Sequence, residues 1–83
     1  MAGQRRKRIY LYLFDDDYNS IAYVDHILRA VCNKNPIVAA QIIQIVETTG
    51  RCQVSSGFEP AIFRIYASLV KAGLIVKLTE KQI

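Results

Sequence analysis

The 83 residues fit one domain, near the lower limit at which a hydrophobic core alone sustains a fold. With 52% apolar and 22% charged residues, a disordered chain is excluded, and so short a chain favours a shallow cleft or surface patch over deeply enclosed chemistry. The net charge of +4 belongs to Arg5, Arg6, Lys7 and Arg8, because the other basic residues are balanced by seven acidic ones; the folded part is near neutral, and a basic tail is weaker evidence for a nucleic-acid partner than a basic groove.

Residues 1–7 read as a basic flexible arm, residues 8–80 as a single domain and residues 81–83 as a tail. From Arg8 to Phe14 the chain alternates, with Ile9, Leu11 and Leu13 on a core face and Tyr10, Tyr12 and Phe14 opposite, which predicts a strand. Asp15, Asp16 and Asp17 end it, since aspartate favours turns. Asn19 or Ser20 caps a helix over about 21–31, whose apolar stripe is Ile21, Val24, Leu28 and Val31 with Ile27 beside it. Asn35 and Pro36 start a second helix that runs to about Glu47, burying Ile37, Ala40, Ile43 and Val46, and Gly50 stops it. A second strand follows over 51–55, with Cys52 and Val54 inward. A third helix over about 59–72 offers Ile62, Ile65, Tyr66, Leu69 and Val70 to the core. Gly73 ends it, and Leu74, Val76 and Leu78 form the inner face of a last strand. The order is β-α-α-β-α-β, an α+β sandwich of a three-stranded antiparallel sheet packed on three helices.

Little in this chain reads as catalytic. Cys32, Cys52 and His26 are too few for a zinc site or a disulfide framework, so the cysteines read as reduced core residues of a cytoplasmic protein. His26 falls away from the apolar stripe of its helix and has no nucleophile to serve. The three aspartates suggest magnesium, but neighbouring residues of an extended chain point to opposite sides, and no glycine-rich phosphate loop accompanies them. No apolar run approaches the ~20 residues of a membrane span, and no secretory leader is evident. The expectation is therefore a monomeric protein with no enzymatic activity, metal, cofactor or membrane partner.

Three segments carry a family likeness. The run from Ile9 to Val24, with its strand, acidic turn and helix start, resembles the opening of the ClpS adaptors. Ile45-Val46-Glu47-Thr48-Thr49-Gly50-Arg51-Cys52 is similar to that family's Val-His-x-x-Gly-Lys stretch, and the run from Gly57 to Leu78, containing Lys71-Ala72-Gly73-Leu74, to its closing helix and strand. The resemblance implies an adaptor that binds protein N-termini with a bulky hydrophobic first residue (Leu, Phe, Tyr or Trp), the N-degron, and delivers them to the N-terminal domain of a Clp AAA+ unfoldase. It implies roles as well. Asp16 matches the aspartate that grips the α-ammonium, while Asp15 and Glu47 stand where the family has Asn and His. Asn19 replaces a Thr that bonds the peptide backbone, and Ile21 a gatekeeper that is commonly Met. Val24, Ile43, Val46 and Leu74 would line the pocket, and Glu59 with Arg64 would dock the unfoldase. An acid-only cage still suits a cation, because carboxylates accept and an ammonium donates. Crowded together, such carboxylates would also raise a pKa among themselves.

Two other readings compete. A ClpS-like domain diverged towards another peptide partner would keep the fold and lose the N-degron, and the ribosomal stalk protein's C-terminal domain resembles the same layout. An RNA-binding module would use the basic arm and the Tyr10, Tyr12, Phe14 face as a stacking platform. The neighbouring strand offers Arg51, Gln53 and Ser55 on that side and no further aromatic, which argues against RNA.

Overall fold

The computed structural model describes residues 6–83; the first five residues of the predicted arm lie outside the described part. The elements are β1 (Ile9–Phe14), α1 (Ile21–Val31), α2 (Pro36–Thr49), β2 (Arg51–Gly57), α3 (Ala61–Lys71) and β3 (Val76–Thr79), in the predicted order. The three strands form one antiparallel sheet with β1 at its centre, in the order β2-β1-β3. Leu11 and Leu13 point into a core completed by Leu28 of α1, Ala39, Ile42, Ile43 and Val46 of α2, Val54 of β2 and Ile62 and Leu69 of α3. Each fully buried aliphatic side chain contributes about 1.5–3 kcal/mol relative to leaving it in water.

The local signals account for the element boundaries. The Ser20 hydroxyl accepts from the Tyr23 N–H and caps α1, and the Asn35 side chain accepts from the Val38 N–H ahead of Pro36. Gly50 ends α2 at φ 93°, a conformation that costs other residues steric strain. Strand β2 runs to Gly57, two residues further than its alternation predicts, because Ile9 still pairs with Gly57. Val54 is the extra residue of a bulge there, since Leu11 faces Ser55 while Tyr12 faces Gln53.

Several expected faces are corrected. Helix α2 buries Ala39, Ile42, Ile43 and Val46, whereas Ile37 is 72% exposed and Ala40 is also on the surface. In α3, Val70 faces outward, and the helix begins at Ala61, after Glu59 and Pro60. Residues 81–83, read from the sequence as a tail, lie back against the sheet through Gln82 and Ile83. The Gln82 side-chain amide donates to Gln53 Oε1 at 3.0 Å, and the Ile83 N–H donates to the Tyr12 hydroxyl at 2.9 Å. Tyr12, expected at the centre of an outward aromatic platform, is 5% exposed.

Candidate functional site

The end of β1 is held on both flanks. The Phe14 N–H donates to the Ile75 carbonyl at 2.9 Å, and the Asp15 N–H donates to the Gly50 carbonyl at 3.0 Å. The chain therefore leaves the sheet at a fixed point and turns sharply through the aspartates into α1. Asp16 organises that turn. Its Oδ1 accepts from the backbone N–H groups of Tyr18 and Asn19, both at 2.8 Å, and its Oδ2 accepts from Asn19 Nδ2 at 2.9 Å. This is the local motif by which aspartate competes with regular structure. Slight burial alone would push the Asp16 carboxyl up, but these bonds outweigh it and hold the group below the ordinary aspartate value. The crowding expected to raise a carboxylate is thus not what governs Asp16.

Beside this turn lies a cavity of about 70 Å³. Leu13, Phe14, Asp15 and Asp16 line it from the end of β1, Asn19, Ile21 and Val24 from the start of α1, and Ile43, Val46 and Glu47 from α2. Ile43, Val46 and Glu47 share one face of α2 through their spacing of three and four residues, so the helix presents two apolar groups and a carboxylate together. The floor is aliphatic and the rim is anionic, with no basic residue among the lining side chains. Such a concavity suits a ligand that joins a cationic group to an apolar one. A shallow groove between α1 and α2 adjoins the cavity, sharing Ile21, Ile43 and Glu47 and continuing over Ala22, Asp25, Ala40 and Gln44.

Eight of the expected site residues thus line one cavity: Asp15, Asp16, Asn19, Ile21, Val24, Ile43, Val46 and Glu47. Leu74 does not. It is 5% exposed within the core, where its N–H donates to the Leu69 carbonyl and closes the α3–β3 turn. Asn19 has its amide donors turned inward, to Asp16 Oδ2 and to the Gly73 carbonyl at 3.1 Å, so only its carbonyl oxygen is left for a ligand. Glu59 and Arg64 are exposed and do not pair with each other; Glu59 lies near Arg6, Lys7 and Phe58, at the opposite end of β1. Leu13 and Phe14 were missed as lining residues. The inward alternation of Leu13 was a usable signal, while Phe14 belonged by alternation to the other face of the sheet.

Among the described residues no group of three or more His, Cys, Asp or Glu side chains is gathered to hold a metal ion. No helix among them is long and apolar enough to cross a membrane. His26 is exposed, and Cys32 and Cys52 are free and half-buried. Burial pushes both thiols up, with Lys34 opposing, which disfavours the nucleophilic thiolate.

Comparison with known proteins agrees with this architecture. The family model described as ATP-dependent Clp protease adaptor protein ClpS matches residues 4–73. Among solved structures, ClpS2 of Agrobacterium tumefaciens bound to L-phenylalaninamide superposes with a TM-score of 0.80 at 18% identity, covering 90% of this chain and 98% of its own. At that identity the likeness shows the fold alone. No curated protein matches the sequence.

Proposed function

The chain belongs to the ClpS adaptor family, and on that premise we propose that it binds protein N-termini bearing a bulky hydrophobic first residue and presents them to a Clp AAA+ unfoldase. An adaptor of this kind recognises a substrate and leaves unfolding and cleavage to its partner. The observation that carries the reading is the union, in one cavity, of an aliphatic floor from Ile21, Val24, Ile43 and Val46 with the carboxylates of Asp15, Asp16 and Glu47. A protein N-terminus is the one place on a polypeptide where an ammonium and a side chain leave the same carbon atom. The ammonium would sit against the carboxylates and the side chain against the floor. Because Asp16 is fixed by its own turn, little ordering remains to be done on binding. The groove between α1 and α2 leaves a route for the residues that follow.

The same reading places the protein in the cytoplasm and assigns unfoldase docking to Glu59 and Arg64. It is favoured over RNA binding by the covered Tyr12, which removes the middle ring of the stacking platform. A peptide panel tests it. A short peptide beginning with Leu should bind at least ~10-fold more tightly than an otherwise identical one beginning with Ser or Asp, from burial of the first side chain. Equal binding of all three would leave the fold in place and remove the N-degron, the outcome expected of a diverged peptide-binding relative.

A further inference from the structure

A carboxylate offers about four lone-pair positions and donates nothing. At Asp16 the turn takes three of them. Oδ1 accepts from the Tyr18 and Asn19 N–H groups, both at 2.8 Å, and Oδ2 accepts from Asn19 Nδ2 at 2.9 Å. That leaves about one position, on Oδ2, open to a ligand. Asn19 turns its amide donors onto Asp16 and the Gly73 carbonyl, and the oxygen it has left is neutral. The other two carboxylates of the lining, Asp15 and Glu47, are exposed.

An α-ammonium brings three N–H donors to these acceptors. One of them can meet the fixed, partly buried Asp16. The others face exposed carboxylates, where water serves nearly as well and a pairing contributes little beyond its charge. That charge is not cancelled, since no basic side chain lines the cavity. Methylation of an amine removes its N–H groups one at a time and leaves the positive charge in place. Asp15 and Glu47, being at the surface, can also shift aside for a methyl group.

We propose, on the N-terminus-binding reading above, that the site reads the charge of the terminal nitrogen and a single N–H, and so accepts protein N-termini mono- or dimethylated on that nitrogen as well as free ones. Asp16 Oδ2 takes the one N–H that the site requires, and Asp15 and Glu47 hold the cation through its charge.

The test uses Leu-initiated peptides with a free, monomethyl, dimethyl, trimethyl or acetyl terminus and a free Ser-initiated one. They are titrated against the full chain at pH ~6, below the ordinary α-amino pKa of ~8. The mono- and dimethyl peptides should bind within about 5-fold of the free one, the range of an exposed pairing. Trimethylation removes the last N–H and should cost about 10-fold or more beyond that, and the acetylated peptide should not bind. Asn19→Ala removes the amide that occupies Oδ2 and opens a second position there. The free peptide should then gain on the dimethyl one by about 3-fold or more, whereas a purely structural role for Asn19 would weaken both alike. A larger loss on the first or second methyl overturns the proposal, and leaves the N-terminus reading standing where the acetylated and Ser-initiated peptides stay well below the free Leu peptide. Trimethyl binding within about 5-fold of free, or an unaltered free-to-dimethyl ratio in Asn19→Ala, overturns the assignment of one N–H to Asp16. Acetylated peptide binding as well as the free one overturns both readings.

Discussion

The two ends of β1 carry opposite charge and use it differently. Ahead of Ile9 stand Arg6, Lys7 and Arg8. The guanidinium groups of Arg6 and Arg8 lie 4.7 and 5.0 Å from the centre of the Phe58 ring, Arg6 donates to the Glu59 carbonyl, and Lys7 meets Glu80 at 3.3 Å. These contacts are exposed, and each is of a kind that contributes at most about 1 kcal/mol. Beyond Phe14 stand Asp15, Asp16 and Asp17. There one carboxylate is bonded into its own turn, and the turn borders an aliphatic cavity. Charge count does not separate the two ends, but arrangement does. On the reading proposed above, fixed charge beside an apolar concavity serves recognition, whereas the basic end turns its charges onto the Phe58 ring, the Glu59 carbonyl, the Ser56 hydroxyl and the Glu80 carboxylate.

If that contrast is right, mutations at the two ends should differ in kind. The largest effect is expected at Asp16. Asp16→Ala should lower affinity for a Leu-initiated peptide by roughly 10- to 100-fold, the loss of a charge-assisted hydrogen bond. It should also destabilise the fold by about 1 kcal/mol, since the turn N–H groups lose their acceptor. Asp16→Asn keeps an acceptor for those groups, so in a melting experiment it should recover most of the stability while peptide affinity stays low. Glu47 is exposed and should matter less: Glu47→Ala should weaken binding by about 3- to 10-fold, and Glu47→Gln, which retains an acceptor, by less.

The pH profile sharpens the same contrast. Affinity should fall as pH rises past ~8, where the peptide α-amino group loses its proton. On the acid side, Asp16 is held below its ordinary value, so its share of binding should persist until pH falls below ~3.9. Its share of stability has the same sign. A depressed carboxyl stabilises the fold above its unfolded pKa, and that contribution is lost as pH falls through the lower folded value. The smallest effects belong to the basic end. Lys7→Ala or Glu80→Ala should change stability by less than about 1 kcal/mol and leave peptide affinity unaltered. Replacing Glu59 and Arg64 together by Ala should likewise spare peptide binding while weakening capture by the N-terminal domain of a Clp unfoldase. Equal loss in both assays would mean that the two ends are not separate surfaces.

Most of the fold was legible in the sequence, because alternation, caps and glycines agree on the order of the elements. The exceptions have physical causes. Helix α2 carries Ile37, Val38, Ile42, Ile43, Ile45 and Val46 around much of its circumference, so periodicity alone does not choose which stripe meets the sheet. The choice is made by packing on β2 and α1, and it turns Ile37 and Ala40 outward. The bulge at Val54 and the return of residues 80–83 over Tyr12 depend on contacts between distant segments and leave no local signal. At the site, the acidic turn and the apolar residues of α1 and α2 were legible, and Leu74 was misplaced because an inward residue next to a turn can serve either core or cavity. The role of Asn19 was half legible. An aspartate followed two and three residues later by free N–H groups is a turn motif, which accounts for the Asp16 bonds, but the bond to Gly73 spans most of the chain.

If the acidic end of β1 holds an N-terminal ammonium, acetylating the peptide should remove what the site grips. A Leu-initiated peptide and its Nα-acetylated twin differ only in that group, the modification removing the positive charge and two donors. The free peptide should bind clearly near pH 7, and the acetylated one should show no detectable binding at the same concentrations. Equal affinity for the two would contradict it, and would reduce Asp15, Asp16 and Glu47 to a solvated turn and the end of a helix.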